Sequence, residues 1–279
     1  MNTADARHSP GQDGFAVENL RFTLGTRTIL LDLRLRVAPG EFIGLLGPSG
    51  SGKTSLLRLL AGLETPAFGS VTWNGRDAAG QGLERGAVFE DCGFVPWLSL
   101  SDNMAMAIDA ARPGTSSLRC QELAREYLHL VGLIEVGHKH PLELSRGMRQ
   151  QAAMARALAM GSPVLLLDDP FCVLDPRERA LIHDLLPRIQ AAAEPRTTIV
   201  LATHDLDDAL SLATRVIGLG AVPGPIVVDM TVPGPGTPDG SRADIPERTL
   251  LRRRIEDLYH QDDRRRLAAE EFFGLGAGI

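Results

Sequence analysis

Apolar residues alternate with polar ones from Phe15 to Val37, in FAVENLRF and then TILLDLRLRV, the period of strands buried on one face. Pro39-Gly40 marks a turn. FIGLL, Phe42 to Leu46, is a continuous apolar run that fits a buried strand. A glycine-rich loop follows it, and KTSLLRLLAGL then reads as a helix, with SVTWNG (Ser70 to Gly75) returning as a strand that ends in a turn. From about Leu100 to Met160 the spacing of apolar residues changes to three and four, in CQELAREYLHLVGL and SRGMRQQAAMARALAM, which predicts helices. PVLLLDD and TTIVLATHD read as two more strands, each followed by a helix, RERALIHDLLPRIQAAA and LDDALSLATRV. Strands alternating with helices predict an α/β fold with a mostly parallel sheet covered on both faces.

The chain ends differ from this middle. Residues 1–14 are polar and are expected to lack order. After Gly218 the Pro- and Gly-rich stretches GAVPGPIVV and VPGPGTPDG suggest a turn and a linker, and PERTLLRRRIEDLYHQDDRRRLAAEEFF reads as a charged helix. No internal repeat is visible. The boundaries that follow are a domain over 15–232, with a helical part at about 95–160, and a linker plus helix over 233–279.

Composition narrows the function classes. The net charge of -6 gives no basic face for nucleic acid, so no nucleic-acid partner is expected. No apolar run approaches the roughly 18 to 20 residues that span a bilayer, and MNTADARHSPGQDG has no apolar core of a secretory signal. A membrane role therefore has to come through a partner. Cys92, Cys120 and Cys172 share no metal-like spacing and read as reduced thiols of a cytosolic protein. Of 29 basic residues only Lys53 and Lys139 are lysines, so a lysine at position 53 stands out.

That lysine lies in Gly47-Pro48-Ser49-Gly50-Ser51-Gly52-Lys53-Thr54, which satisfies G-x-x-x-x-G-K-[ST] after a strand and before a helix that continues with Ser55. Such a loop turns backbone N–H groups around phosphates, and the helix N-terminus adds partial positive charge. Lys53 would reach the β- and γ-phosphates and the Thr54 hydroxyl would coordinate Mg²⁺. The expected ligands are thus ATP and Mg²⁺. Asp168 ends an apolar strand and can hold Mg²⁺ through water; His204 ends another. In open parallel sheets such strand ends form the ligand site. No Asn-Lys-x-Asp base-reading motif accompanies the loop, which disfavours a GTPase.

With these residues in place the chain resembles the ATP-binding subunits of ABC transporters over about Phe15 to Thr231. LSRGM, Leu144 to Met148, is similar to the family's LSGGQ signature, and LLLDDP followed by FCVLD resembles its Walker B strand and D-loop at Leu174-Asp175. His204 matches the switch histidine. The resemblance implies a P-loop NTPase fold with a mostly parallel core sheet, an antiparallel β subdomain and an inserted helical subdomain. It implies two subunits facing head to tail, identical or different, so that Ser145, Arg146 and Gly147 contact ATP bound to the partner. It also implies membrane permease subunits as partners, a solute-binding protein indirectly, and a peripheral place on the cytoplasmic face of the cell membrane. VFEDCGFVPWLSLSDN, Val88 to Asn103, is similar to importers of nitrate, aliphatic sulfonates and taurine, where the permease docks. Phe94 and Trp97 are then candidate interface anchors, or else packing residues of the helical part.

Four positions depart from the family pattern. The glutamate expected after Asp168 is Asp169, one methylene shorter, and a base misplaced by about 1 Å can lose roughly a hundredfold in rate. The Q-loop glutamine is Glu90, still able to act at Mg²⁺-bound water but unable to donate. The first signature glycine is Arg146, which either obstructs closure or stabilises the γ-phosphate. The aromatic expected to stack on adenine is Leu24, with Phe22 as a substitute. These departures lead to the expectation of an ATPase with slow turnover, in which Asp169, His204 and Glu90 carry catalysis and Thr54, Asp168 and Glu90 the metal. The alternative is a nucleotide-binding regulatory or structural subunit paired with a competent ATPase. A soluble repair or translation ATPase is disfavoured by the lack of coiled coils or a duplicated domain.

Three further features read as structural. His138, Lys139 and His140 fit a solvated loop better than a metal site. Arg252 to Arg254 and Arg264 to Arg266 have acidic neighbours that cancel their attraction to lipid. Asp175 serves as a D-loop residue and as a cap for the helix beginning PRERA.

Overall fold

Two sheets share one helix between them. The computed structural model describes residues 14–80, 82, 84–232 and 245–274. β1 (Phe15–Leu24) and β2 (Arg27–Val37) pair antiparallel, and β1 also pairs with β4 (Phe68–Trp73), which carries the short β5 (Arg76–Asp77) at its edge. On β2, Leu33, Leu35 and Val37 are buried while Arg34 and Arg36 are exposed, the alternation of a sheet wet on one face.

The second sheet has the order β10-β9-β3-β8-β7-β6. β3 (Phe42–Leu46), β8 (Thr198–Thr203) and β7 (Val164–Asp168) are its parallel centre, and they are buried on both faces, which is why their sequences are unbroken apolar runs. β6 (Arg85–Val88) and β9 (Arg215–Leu219) join in parallel, and β10 (Ile226–Thr231) closes the far edge antiparallel to β9. The GAVPGPIVV stretch, expected to be turn and linker, thus ends in a strand: Val228 is buried under the last helix and its backbone pairs with Gly218. β6 left no signal in the sequence because four residues with one arginine carry no period.

α1 (Lys53–Ala61) lies between the sheets. Leu56, Leu57, Leu59 and Leu60 are each at most 1% exposed and pack against residues of β1, β2, β3 and β7. At about 1.5–3 kcal/mol for each buried leucine, this packing anchors the loop that precedes the helix. Gly52, just before α1, has φ 100°, and a Cβ there would meet Leu30 Cδ2 at 2.8 Å, so any other residue would be strained there.

The helical segment contains α2 (Leu100–Ala111), α3 (Ser117–Leu130) and α4 (Arg146–Met160). Each starts at a serine cap: Ser99, Ser116 and Ser145 accept from the N–H of Asp102, Arg119 and Met148. Each cap contributes about 1 kcal/mol. These helices form one core with α5 (Pro176–Ala192) and the face of the large sheet opposite α1. α6 (Leu206–Leu212) follows β8, and α7 (Ile245–Gly274) covers β10 and α6 through Leu251, Ile255, Leu258 and Tyr259. Of the polar N-terminus expected over 1–14 all but Gly14, and of the Pro/Gly linker residues 233–244, lie outside the described residues.

Candidate nucleotide site

β3, β6, β7 and β8 run parallel, so their carboxyl ends share one edge of the sheet. The loop 47–52 leaves β3 there. Glu90 follows β6, Asp168 ends β7 with Asp169 next in line, and His204 follows β8. A cavity of about 340 Å³ opens at this edge, lined by Ser49, Gly50, Lys53, Thr54, Glu90 and Arg146, together with Asp168 and Asp169. Residues separated by more than a hundred positions in the chain meet in it.

Lys53 opens α1, and its Nζ donates to the carbonyls of Gly47 at 2.7 Å and Pro48 at 3.1 Å. Burial lowers its pKa, against the pull of the Asp169 and Asp168 carboxylates. Asp168 shows the opposite direction: burial raises its pKa, and the hydrogen bond from the Thr54 hydroxyl works against that rise. Asp169 sits at φ 46°, in the left-handed region where Asp and Asn are enriched among non-glycine residues. Its N–H donates to Ala202 O at 2.8 Å and its carboxylate meets His204 Nδ1 at 2.8 Å. Asp169 and His204, each a catalytic candidate through the family resemblance, are thus direct neighbours.

Glu90 faces Arg146, whose Nη2 donates to Glu90 Oε1 at 3.0 Å. The other two signature residues point elsewhere. The Ser145 hydroxyl caps α4, and Gly147 packs so closely on the next helix that a Cβ would lie 2.8 Å from Glu178 Oε2. Neither lines the cavity of its own subunit. Within the loop, Ser51 is 1% exposed and lies beneath the surface, Gly52 is buried, and Ser55 is half-buried in the first turn of α1. Gly47 and Pro48 line a second groove, which runs between His204 and α7.

The donor set fits Mg²⁺ held with phosphate. Thr54 and Asp168 offer hard oxygens side by side, and among the described residues no group of three His, Cys, Asp or Glu could hold an ion alone. Mg²⁺ is commonly bound through one or two protein oxygens, substrate phosphates and waters.

The structure sorts the remaining sequence candidates. Phe22 is 5% exposed in the core between the sheets, so it is not free to stack on a base, and Leu24, 66% exposed, holds that surface. Phe94 is half-buried with the Arg156 guanidinium 4.5 Å from its ring centroid, which is a packing role, whereas Trp97 is 76% exposed. Asp175 accepts from the N–H groups of Arg177 and Glu178, and Glu178 accepts from Asp175 N: a capping box. The His140 N–H donates to Glu143, a helix-start bond rather than metal ligation. Arg252 pairs with Asp207 and Glu256. All three cysteines are free. Sequence reasoning missed Arg149 and Gln150, which also line the cavity. Gln150 is 3% exposed with no partner for its Nε2, and its only signal was an amide, beside the equally buried Gln151, at a buried phase of α4.

Residues 30–172 match the sequence model of a family described as ABC transporter. The chain belongs to the ABC transporter family. It is 41% identical over 193 residues to the nitrate import ATP-binding protein NrtD of Synechococcus elongatus, covering 69% of this chain and 70% of that protein. It is 36% identical to the bicarbonate transport ATP-binding protein CmpD of the same species, over 84% of this chain and 86% of that one. A solved ABC cassette, MJ0796, in a dimeric post-hydrolysis state with ADP and phosphate, superposes with a TM-score of 0.72 at 26% identity, covering 79% of this chain and 99% of that one. The antiparallel sheet, the parallel core sheet and the inserted helices are therefore those of an ABC ATPase, and the chain is an ABC-type transport ATPase that binds ATP.

Proposed function

We propose that this chain is the ATP-hydrolysing subunit of an ABC importer for a small anion of the nitrate, bicarbonate or sulfonate class. The observation that carries the ATPase part is the convergence of Lys53, Thr54, Asp168 and Asp169 on one cavity at the N-terminus of α1. The solute class rests on the nitrate and bicarbonate ATP-binding proteins to which the chain is similar. Lys53 and the first N–H groups of α1 hold the β- and γ-phosphates of ATP. Thr54 and Asp168 would hold Mg²⁺, which when bound would neutralise phosphate charge. Asp169 takes the proton of the attacking water, and His204, hydrogen-bonded to it, fixes the carboxylate. Ser145 and Gly147 serve the ATP of a second ATPase subunit, and Trp97, unburied in the helical part, contacts the permease at the cytoplasmic face of the membrane.

One observation favours a second reading, a regulatory subunit with weak hydrolysis: Glu90 is held by Arg146, and Asp169 offers a shorter side chain than glutamate. Reconstitution with a cognate permease in proteoliposomes separates the two. The importer reading expects uptake of nitrate, bicarbonate or a sulfonate that requires Mg-ATP and stops in Lys53→Ala. Uptake that persists in Lys53→Ala, driven by a different ATPase subunit, favours the regulatory reading.

A further inference from the structure

Asp169 and His204 meet at the surface, with 35% and 60% of their side-chain area exposed. A pair so open to water is too weak to hold its own geometry. Asp169 has help from the backbone, since its N–H donates to Ala202 O in β8. His204 lies one residue beyond the last paired position of that strand, so the sheet does not fix it.

Support comes from behind, where α5 meets α6. Asp205, next to His204, caps α6 and accepts from Arg179 Nη2 at 2.5 Å. One turn into α6, Asp208 Oδ1 accepts from the same Nη2 at 2.6 Å and from Arg179 Nε at 3.2 Å, and His183 Nε2 lies 2.7 Å from it. Asp208 is 2% exposed. A carboxylate buried that deeply is costly without partners, so the cluster is held as a unit. Arg179 and His183 stand four residues apart on α5, on one face of the helix. Both also touch the segment that carries the other member of the pair. Phe171, two residues after Asp169 and 3% exposed, has the His183 ring 4.6 Å away between centroids and the Arg179 guanidinium 5.9 Å from its ring. The chain after β7 and the chain after β8 therefore rest on the same two side chains.

We propose that Arg179 and His183, acting through the buried Asp208, are positioning residues that set His204 against Asp169. This rests on the reading of Asp169 and His204 as the catalytic pair and deepens it. Neither Arg179 nor His183 lines the phosphate cavity, so neither acts on the nucleotide directly. Arg179 works by its shape as much as by its charge. Its planar fork spans Asp205 and Asp208 together, whereas a lysine brings one point charge to the same place. His183 takes the remaining contact on Asp208 and packs on Phe171, which ties the position of α6 to the end of β7.

The test is a double-mutant cycle in turnover, read as phosphate release by the full-length chain reconstituted with its permease, beside equilibrium binding of ATP. Arg179→Lys keeps the charge opposite Asp208 and is expected to lower turnover about 10-fold, as a misplaced catalytic group does. The dissociation constant for ATP should stay within about 3-fold, since the lost contact serves the reaction and not the ground state. His183→Ala should lower turnover about 3-fold by the same route. With His204→Ala already in place, either change should cost less than about 2-fold more, because the residue they position is gone. Thermal unfolding checks the fold of each variant, and His183→Ala, which leaves Arg179 on Asp208, carries the cycle alone if Arg179→Lys does not fold. A loss of the same size with and without His204 marks a structural role and overturns the proposal, as does unchanged turnover in the folded single variants; both outcomes leave the catalytic pair standing. Unchanged turnover in His204→Ala itself overturns the pair and the proposal together.

Discussion

On one side of the cavity, positions 47 to 54 keep every residue that the phosphate-loop pattern demands, and any other residue at Gly52 would be strained against Leu30. On the other side stand Glu90, Arg146 and Asp169, the three cavity positions at which the sequence resemblance implies a departure from the family pattern. The difference follows from what holds each side. The loop is backbone, pinned between β3 and the buried leucines of α1, so a change in it costs both packing and ligand contacts. The opposite side consists of side-chain ends near water, where a charge added at Arg146 is offset by one added at Glu90. Substitution there alters the chemistry without disturbing the core.

The most severe way to probe this contrast is Lys53→Ala. It removes the ammonium group from the rigid side, and ATP affinity measured by equilibrium binding should fall by about 100-fold or more. Unchanged affinity would mean that the loop is not the phosphate site.

His204→Ala comes next. Turnover should drop roughly 100-fold, because the carboxylate of Asp169 loses its 2.8 Å partner, while the dissociation constant for ATP stays within about 3-fold. Steady-state phosphate release alongside binding separates the two quantities, and a parallel loss of binding would break the division between the two sides.

Asp169→Glu restores the longer carboxylate, and turnover should rise by roughly 10-fold. A cost accompanies the gain: φ at this residue is 46°, a conformation that glutamate adopts less readily than aspartate. Thermal unfolding should therefore show a loss of about 1 kcal/mol or less. A rise in rate with no loss of stability would place the strain elsewhere, and no rise at all would show that side-chain length does not limit the reaction.

The smallest effect is expected from Gly147→Ala. The added Cβ would press on Glu178 Oε2 at 2.8 Å and Val173 O at 3.2 Å, disturbing the capping box at the start of α5. Stability should fall by about 1 kcal/mol. ATP binding by the isolated subunit should not change, because Gly147 does not line its cavity. A loss of binding in the monomer would place this residue in its own subunit's site.

The alternation in β2 and the unbroken runs of β3, β7 and β8 were legible in the sequence because burial on one face or two leaves a period that depends on neighbouring residues alone. The loop 47–54 was legible for a similar reason: strand, turn and helix N-terminus lie within a dozen residues. β6 and β10 are short edge strands with no period of their own, and they exist because neighbouring backbone offers them hydrogen bonds. Phe22 had the right residue type for a base-stacking role, and only the packing of the two sheets around α1 removes it.

The sequence by itself determined the proposed phosphate loop, since adjacent residues with the right backbone freedom and one ammonium group suffice for that. Tertiary structure decided what faces it. Glu90 and Arg146 stand 56 positions apart, and Asp169 and His204 stand 35 apart. Whether such pairs meet depends on the order of strands in the sheet and on how α4 lies across it, and no local pattern encodes either.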